Sequence, residues 1–413
     1  MIKSDKILLI VLLSFSLLYF PFVFRYFIGS FYNVIILSCV FVVFFSSLFW
    51  EVNKNINKLG LFCVALMLLK PIMTMLGDFN VGGGITGFIA EFVRVIPIII
   101  FILFFKEGSW YYCLSFYSRM VLFFSLIAIF GFFYEVSFGN QFRALEIYID
   151  NSGGLDSGLR GVTFYSLQWM KLPFFSTEVY RLQSFTSEAG NFGLALVPAI
   201  LYFVIYEGND RKAWVKIVIL LTTMLLTLSI SIYAGLLILL FVVFILNSKK
   251  KKYIFSLIFV AIIIFFLIYY YHDYIMVYLD SKFNESAVGE SSYDQRLTQF
   301  DQFLSSVDDC LVIGCGVGAI SHLGNTLAIG WLVPVAKYGL FYSTIYYLFF
   351  FVSLIFAVKK IKDIRYRYSA LILIFFISQG FLRGEPFSSF WYFFFILPLF
   401  INCRSSNHEK RHS

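Results

Sequence analysis

The sequence predicts an all-α polytopic membrane protein: about twelve transmembrane helices carrying two long loops on one face. Three observations predict it. The chain of 413 residues is 60% hydrophobic and only 14% charged, where a soluble domain carries nearer a quarter charged residues. Its apolar blocks recur at close to the roughly 20 residues that a helix needs to cross a bilayer. Its basic residues gather on alternate links between those blocks, as the positive-inside rule requires of a polytopic chain. The net charge of +8 therefore belongs to loops facing anionic lipid heads and is no sign of nucleic-acid binding.

The expected spans are 7–24, 33–50, 59–76, 85–105, 113–134, 189–206, 214–229, 232–247, 253–271, 326–357, 367–382 and 387–402. Residues 1–413 are read as a single integral membrane domain. The opening MIKSDKILLIVLLSFSLLYF has the charged start and apolar run of a signal peptide. It lacks a small-x-small cleavage site, so it is read as the first transmembrane helix. The seventh and eighth spans are joined by the short link SISIY. The tenth is too long for one crossing, so a break is expected near Tyr338 and Gly339.

Orientation follows from the links. Lys54 and Lys58, Arg211, Lys212 and Lys216, Lys249 to Lys252, and the group from Lys359 to Arg367 all fall on one side. The short links of the other side hold only Arg25 and Arg383. Both termini are thus placed in the cytoplasm.

Two long loops, 135–188 and 272–325, then lie outside. In the first, GVTFYSLQWMKLPFF (161–175) reads as an aromatic interfacial helix. In the second, SSYDQRLTQFDQFLSSV (291–307) repeats its apolar residues at helical spacing and leads into the glycine-rich turn LVIGCGVG. Cys310 and Cys315 share this loop and could pair if that side is oxidising. The four histidines have no partners at ligand intervals, so neither a metal nor another cofactor is expected.

Ionisable residues close to the membrane mark candidate chemistry, because charge at that depth must be paired, watered or used. Glu91 and Arg94 are spaced i, i+3 and could simply pair. Lys70 precedes Pro71 inside a span and could serve either structure or function. Arg383 and Glu385 bracket a short outer turn and could form a local pair or touch a ligand. Arg181 and Glu188 stand where the first loop enters the sixth span; Arg296 lies in the second loop, and Lys337 near its return to the membrane. Arginine forks on facing loops suit a diphosphate or an acidic sugar. His322, after the glycine turn, has the near-neutral titration that removing a proton from a sugar hydroxyl needs.

Two stretches resemble the O-antigen polymerase and O-antigen ligase superfamily. One is RLQSFTSEAGNFGLALVPAILYF, an arginine followed by an S-E stretch and a span. The other runs from QRLTQFDQFL through GCGVGAISHLGN to YGLFYSTIYY: arginine with an aromatic helix, G-x-G turn, histidine and closing Gly-Leu. With about twelve spans and two outer loops, the resemblance extends over nearly the whole chain and implies a GT-C-like membrane glycosyltransferase of the bacterial inner membrane with a periplasmic active site. It implies that Arg181 and Arg296 contact a lipid-linked diphosphate; Lys337 and Arg383, at the ends of spans, are further candidate diphosphate- or glycan-binding residues. His322 and Glu188 become the candidate catalytic residues. The substrates implied are undecaprenyl-diphosphate-linked glycans in the lipid bilayer, and a chain-length regulator is an expected partner. The ligase pattern commonly has adjacent His-Asn, whereas here Asn325 follows His322 three residues later, and Ala189 stands where proline is frequent. Those departures favour a polymerase over a ligase delivering glycan to lipid A core. A transporter or flippase for lipid-linked sugar would instead show a repeat between halves and short outer loops.

Overall fold

A computed structural model describes residues 55–80, 85–104, 107–138, 145–149, 158–162, 167–170, 179–182, 189–208, 210–227, 229–246, 311–316, 331–382 and 392–401. The first helix of this part, α1, is Lys58–Asn80; α2 is Thr86–Phe104 and α3 is Glu107–Phe138. After the first loop come α4 (Ala189–Tyr206), α5 (Arg211–Leu226) and α6 (Ile230–Leu246). Then follow α7 (Leu332–Lys359), α8 (Ile364–Leu382), the single turn α9 (Tyr392–Phe395) and a 3-10 turn, Leu397–Leu399. Among the described residues four stretches are long and apolar enough to cross a membrane: Lys58–Phe79, Gly87–Phe104, Trp110–Tyr134 and Leu332–Lys359. The expected spans at 7–24, 33–50 and 253–271 lie outside the described residues.

The helices pack in two groups. α1 packs on α2 and α7, while α3, α4, α5, α6 and α8 form the other group, and contacts between α7 and α8 join them. α4 is the most enclosed, with Phe192, Leu194, Leu196, Val197 and Phe203 all buried. Tyrosine hydroxyls lock it to its neighbours: Tyr117 donates to the Ala195 carbonyl at 2.9 Å and Tyr368 to the Pro198 carbonyl at 3.2 Å. At the basic end, Asp210 caps α5 by accepting from the Lys212 amide at 3.0 Å, and Lys216 pairs with Glu207 at 2.5 Å.

Two expectations are corrected. The interfacial helix over 161–175 does not form in the described part of that stretch. Residues 158–162 and 167–170 are strands β2 and β3, paired with β1 (Leu145–Ile149) and β4 (Val179–Leu182) in two antiparallel hairpins. The aromatic content that suggested an interfacial helix is equally strand-forming, and strand pairing satisfies the backbone once a partner is available. The last span, 387–402, is not one continuous helix either. Its described part is α9 and the 3-10 turn, followed by a bridge between Ile401 and Ile56. Pro398 lacks the amide that would continue an α-helix, and the Asn57 side chain donates to the Leu399 carbonyl at 2.6 Å instead.

The break in the tenth span is present. Gly339 has φ +79° inside α7, a backbone state that residues with a Cβ rarely adopt. The Tyr347 hydroxyl donates to the Trp331 carbonyl, and the Trp331 ring lies 4.6 Å from Tyr347 and 6.4 Å from Phe351. A straight helix would hold residues 331 and 347 about 24 Å apart. The arm 332–338 therefore doubles back along the arm 340–359, and the second arm alone, about 30 Å long, suffices for the crossing.

Candidate anion site beneath the fold in α7

The site is built on the α1–α2–α7 trio. Lys70 lies in the interior of α1 beside Pro71, and Glu91 and Arg94 lie one turn apart on α2. Lys70 Nζ stands 3.2 Å from Glu91 Oε2. Arg94 donates to Glu91 Oε1 at 2.8 Å. One carboxylate thus joins two cations from two helices. The Lys70 and Glu91 side chains are 4% and 1% exposed, whereas that of Arg94 is 37% exposed, so the cluster runs from the core to an open face through Glu91.

The fold in α7 brings in the third wall. Lys70 Nζ sits 5.2 Å from the centre of the Tyr338 ring, a cation–π contact. Lys337, next in the chain, is half-buried and close enough to act electrostatically on Glu91. Below it Tyr342 donates to the Leu66 carbonyl at 3.1 Å, tying the crossing arm to α1. Two cations therefore hold one shared carboxylate, and a third acts on it through space.

The glycine turn of the second loop braces this arrangement. The Leu340 amide donates to the Leu311 carbonyl at 2.7 Å and the Cys315 amide to the Ala336 carbonyl at 2.8 Å. A Cβ at Gly339 would stand 2.2 Å from the Val312 carbonyl oxygen. Gly316, at φ +67°, leaves room for Asp78, whose Oδ1 would lie 2.1 Å from a Cβ there. Asp78 is buried near the C-terminal end of α1, and its other oxygen lies against Gly87 at the start of α2. The turn, α1 and α2 thus meet around Asp78. Cys315 is disulfide-bonded, while Cys63 and Cys113 are free; its partner, and Cys310, lie outside the described residues.

Of the residues expected to do the chemistry, Lys337 is in this cluster. Arg181 lies in β4 opposite Gln168, next to buried Leu182, and β4 packs on α3, α4 and α5. Glu188, Arg296, His322 and Arg383 lie outside the described residues. Lys70, for which structure and function were both open in sequence, pairs with Glu91 across helices, and the i, i+3 pair of Glu91 with Arg94 is formed. Asp78 was missed. Its signal was available: an acidic residue after Gly77 at the end of an apolar run.

Chemically, the cluster is suited to hold an anion by charge and hydrogen bonding. Glu91, already engaged by two cations, is poorly placed as a base. Among the described residues no group of His, Cys, Asp and Glu has the arrangement of a metal site.

Residues 215–344 match the family model described as O-antigen ligase, consistent with the O-antigen polymerase and ligase superfamily. The match takes in α6, Arg296, His322, the glycine turn and the fold at Gly339. No curated protein matches the chain, and no solved structure does.

Proposed function

From a chain that carries an O-antigen ligase-family match at residues 215–344, we propose an O-antigen polymerase of the bacterial inner membrane. The enzyme moves a growing glycan from undecaprenyl diphosphate onto a new lipid-linked repeat unit at the periplasmic face. An acceptor sugar hydroxyl attacks the anomeric carbon of the donor, and the bond from that carbon to the diphosphate oxygen breaks. Undecaprenyl diphosphate leaves with the bonding electron pair, and the hydroxyl proton passes to His322 or Glu188. Arg181 and Arg296 hold the diphosphate and stabilise its developing charge, with Lys337 and Arg383 as further diphosphate- or glycan-binding groups. A direct displacement inverts the anomeric centre. A chain-length regulator is the expected protein partner.

The observation that carries this reading is the position of the family match, which spans the second loop together with Lys337 and its glycine brace. The multi-pass helical frame supports it. The ligase of the same superfamily is the second reading, favoured by the description of the matching family. The separation of His322 from Asn325 favours the polymerase.

The test is a deletion strain complemented with wild type or with Arg181→Ala, Arg296→Ala and His322→Ala, read as a lipopolysaccharide ladder. Loss of polymerase activity leaves a single repeat on the core. A ligase defect leaves bare core while polymer accumulates on the carrier lipid. Unaltered ladders in all three variants reject the assigned residues.

A further inference from the structure

We infer that Cys315 is bonded to Cys310, and that the small ring so closed clamps the glycine turn against the fold in α7. The effect of the clamp on donor binding, through Lys337, rests on the glycosyl-transfer reading above; the bond itself does not.

Three observations carry it. First, the other cysteines are poorly placed as partners. The chain has six: Cys39, Cys63, Cys113, Cys310, Cys315 and Cys403. Cys315 is disulfide-bonded, and Cys63 and Cys113 are free. Cys403 is tethered near the opposite end of α1. Ile401 bridges to Ile56, and the Asn57 amide donates to the Phe400 carbonyl at 3.0 Å. The two residues from Ile401 to Cys403 reach at most about 7 Å. Gly316, however, packs on Gly77, about 30 Å along α1 from Asn57. Cys39 falls within the expected span 33–50, where hydrocarbon suppresses the thiolate through which disulfides form.

Second, the turn supplies the geometry. Cys310 is one peptide bond from Leu311. The Leu311 carbonyl accepts from the Leu340 amide, and the Cys315 amide donates to the Ala336 carbonyl. Both ends of the turn are thus fastened to α7, on either side of Gly339. Gly314 at φ +89° and Gly316 at φ +67° let the chain reverse tightly. A disulfide needs Cα atoms within about 7 Å, and a reversal this tight provides that approach.

Third, apolar packing does not hold the turn down. Leu311, Val312 and Ile313 are 41%, 67% and 41% exposed. Covalent closure supplies the constraint that burial does not. A Cβ at Gly314 would stand 2.6 Å from the Lys337 carbonyl oxygen, so the ring presses directly on the backbone of Lys337. The turn also packs at the end of α1 remote from Lys58. A disulfide persists in an oxidising compartment, so the bond and the basic links assign the turn to the same outer face by unrelated physics. Closure oxidises both thiols. Their two electrons and two protons pass to the disulfide of a thiol–disulfide oxidoreductase in that compartment, which becomes a dithiol.

The experiment takes the full chain from membranes, blocks free thiols in denaturant without reductant, and measures tryptic peptide masses. No Lys or Arg lies between Arg296 and Lys337, so Cys310 and Cys315 share one peptide, 297–337. That peptide is expected unblocked and two hydrogens lighter than after reduction. A blocked Cys310, or a link from this peptide to one containing Cys39, overturns the pairing. The second arm uses lipid nanodiscs, with lipid-linked repeat units extracted from the deletion strain as substrate. Reducing the folded wild type should raise KM for the donor about threefold or more, with kcat changed less, and lower melting by about 2–5 °C. Cys310→Ser, Cys315→Ser and the double variant should match reduced wild type and ignore reductant. Cys39→Ser should behave as oxidised wild type. If the serine variants fail to fold, reduction of folded wild type decides. A bond whose reduction leaves KM unmoved overturns the clamp, even where melting falls. A wild type that transfers no glycan with its bond in place overturns the polymerase reading and leaves the pairing standing.

Discussion

Glu91 is one carboxylate shared by Lys70 and Arg94, with an exposure of 1%. Removing one partner from a buried ion pair strands the other charge, at a cost of about 3–5 kcal/mol. Glu91→Ala is therefore expected to lower unfolding stability in detergent by about that amount. The double variant Glu91→Ala with Lys70→Met should recover a large part of it, because no lone ammonium remains in the core. Denaturant unfolding of the single and double variants checks this, and equal losses in both would contradict the coupling. Half of this cluster was legible beforehand. The i, i+3 spacing makes Glu91 and Arg94 neighbours on any helix, whereas Lys70 and Tyr338 arrive from other helices, which no local spacing records.

At the scale of elements, the fold at Gly339 determines where Lys337 and Tyr338 lie. Gly339→Val would force a β-branched residue into φ +79° and drive its Cβ toward the Val312 carbonyl. Backbone strain of this kind costs about 1–3 kcal/mol before any clash. The variant should melt lower and lose polymerisation more than Val358→Ala, an exposed position near the far end of α7. Thermal melting and the lipopolysaccharide ladder check the two halves of that statement. The need for a break was legible from length alone, since the apolar run 326–357 exceeds one crossing. That the arms double back was not, because the direction depends on what braces the vertex. Loop one shows the opposite failure. Its aromatic content is compatible with helix or strand, and the choice fell to the partner strands Leu145–Ile149 and Val179–Leu182.

For the whole molecule, the proposed orientation puts Ile313 outside the membrane and Lys362 in the cytoplasm. Alkaline phosphatase fused after residue 313 should be active, and fused after residue 362 inactive; the reverse pattern would invert the topology. The described helices agree with the expected spans most closely where both ends are marked by polar chain, as at Ala189–Tyr206. They depart at the C-terminal segment, where Phe393, Leu397 and Phe400 are all buried among neighbouring helices. A run apolar on every side can be a span or a plug, and hydropathy does not separate the two.

By itself, then, the amino-acid order determined which stretches leave water, about how long each is, and where charge enters the apolar frame. Transfer from water is additive along a chain, so those features can be read one segment at a time. Only the tertiary structure decided that Lys70, Glu91, Arg94 and Lys337 meet beneath a glycine-braced fold. Contacts between charges depend on the packing and bending of separate helices, and that information is spread over all of them at once.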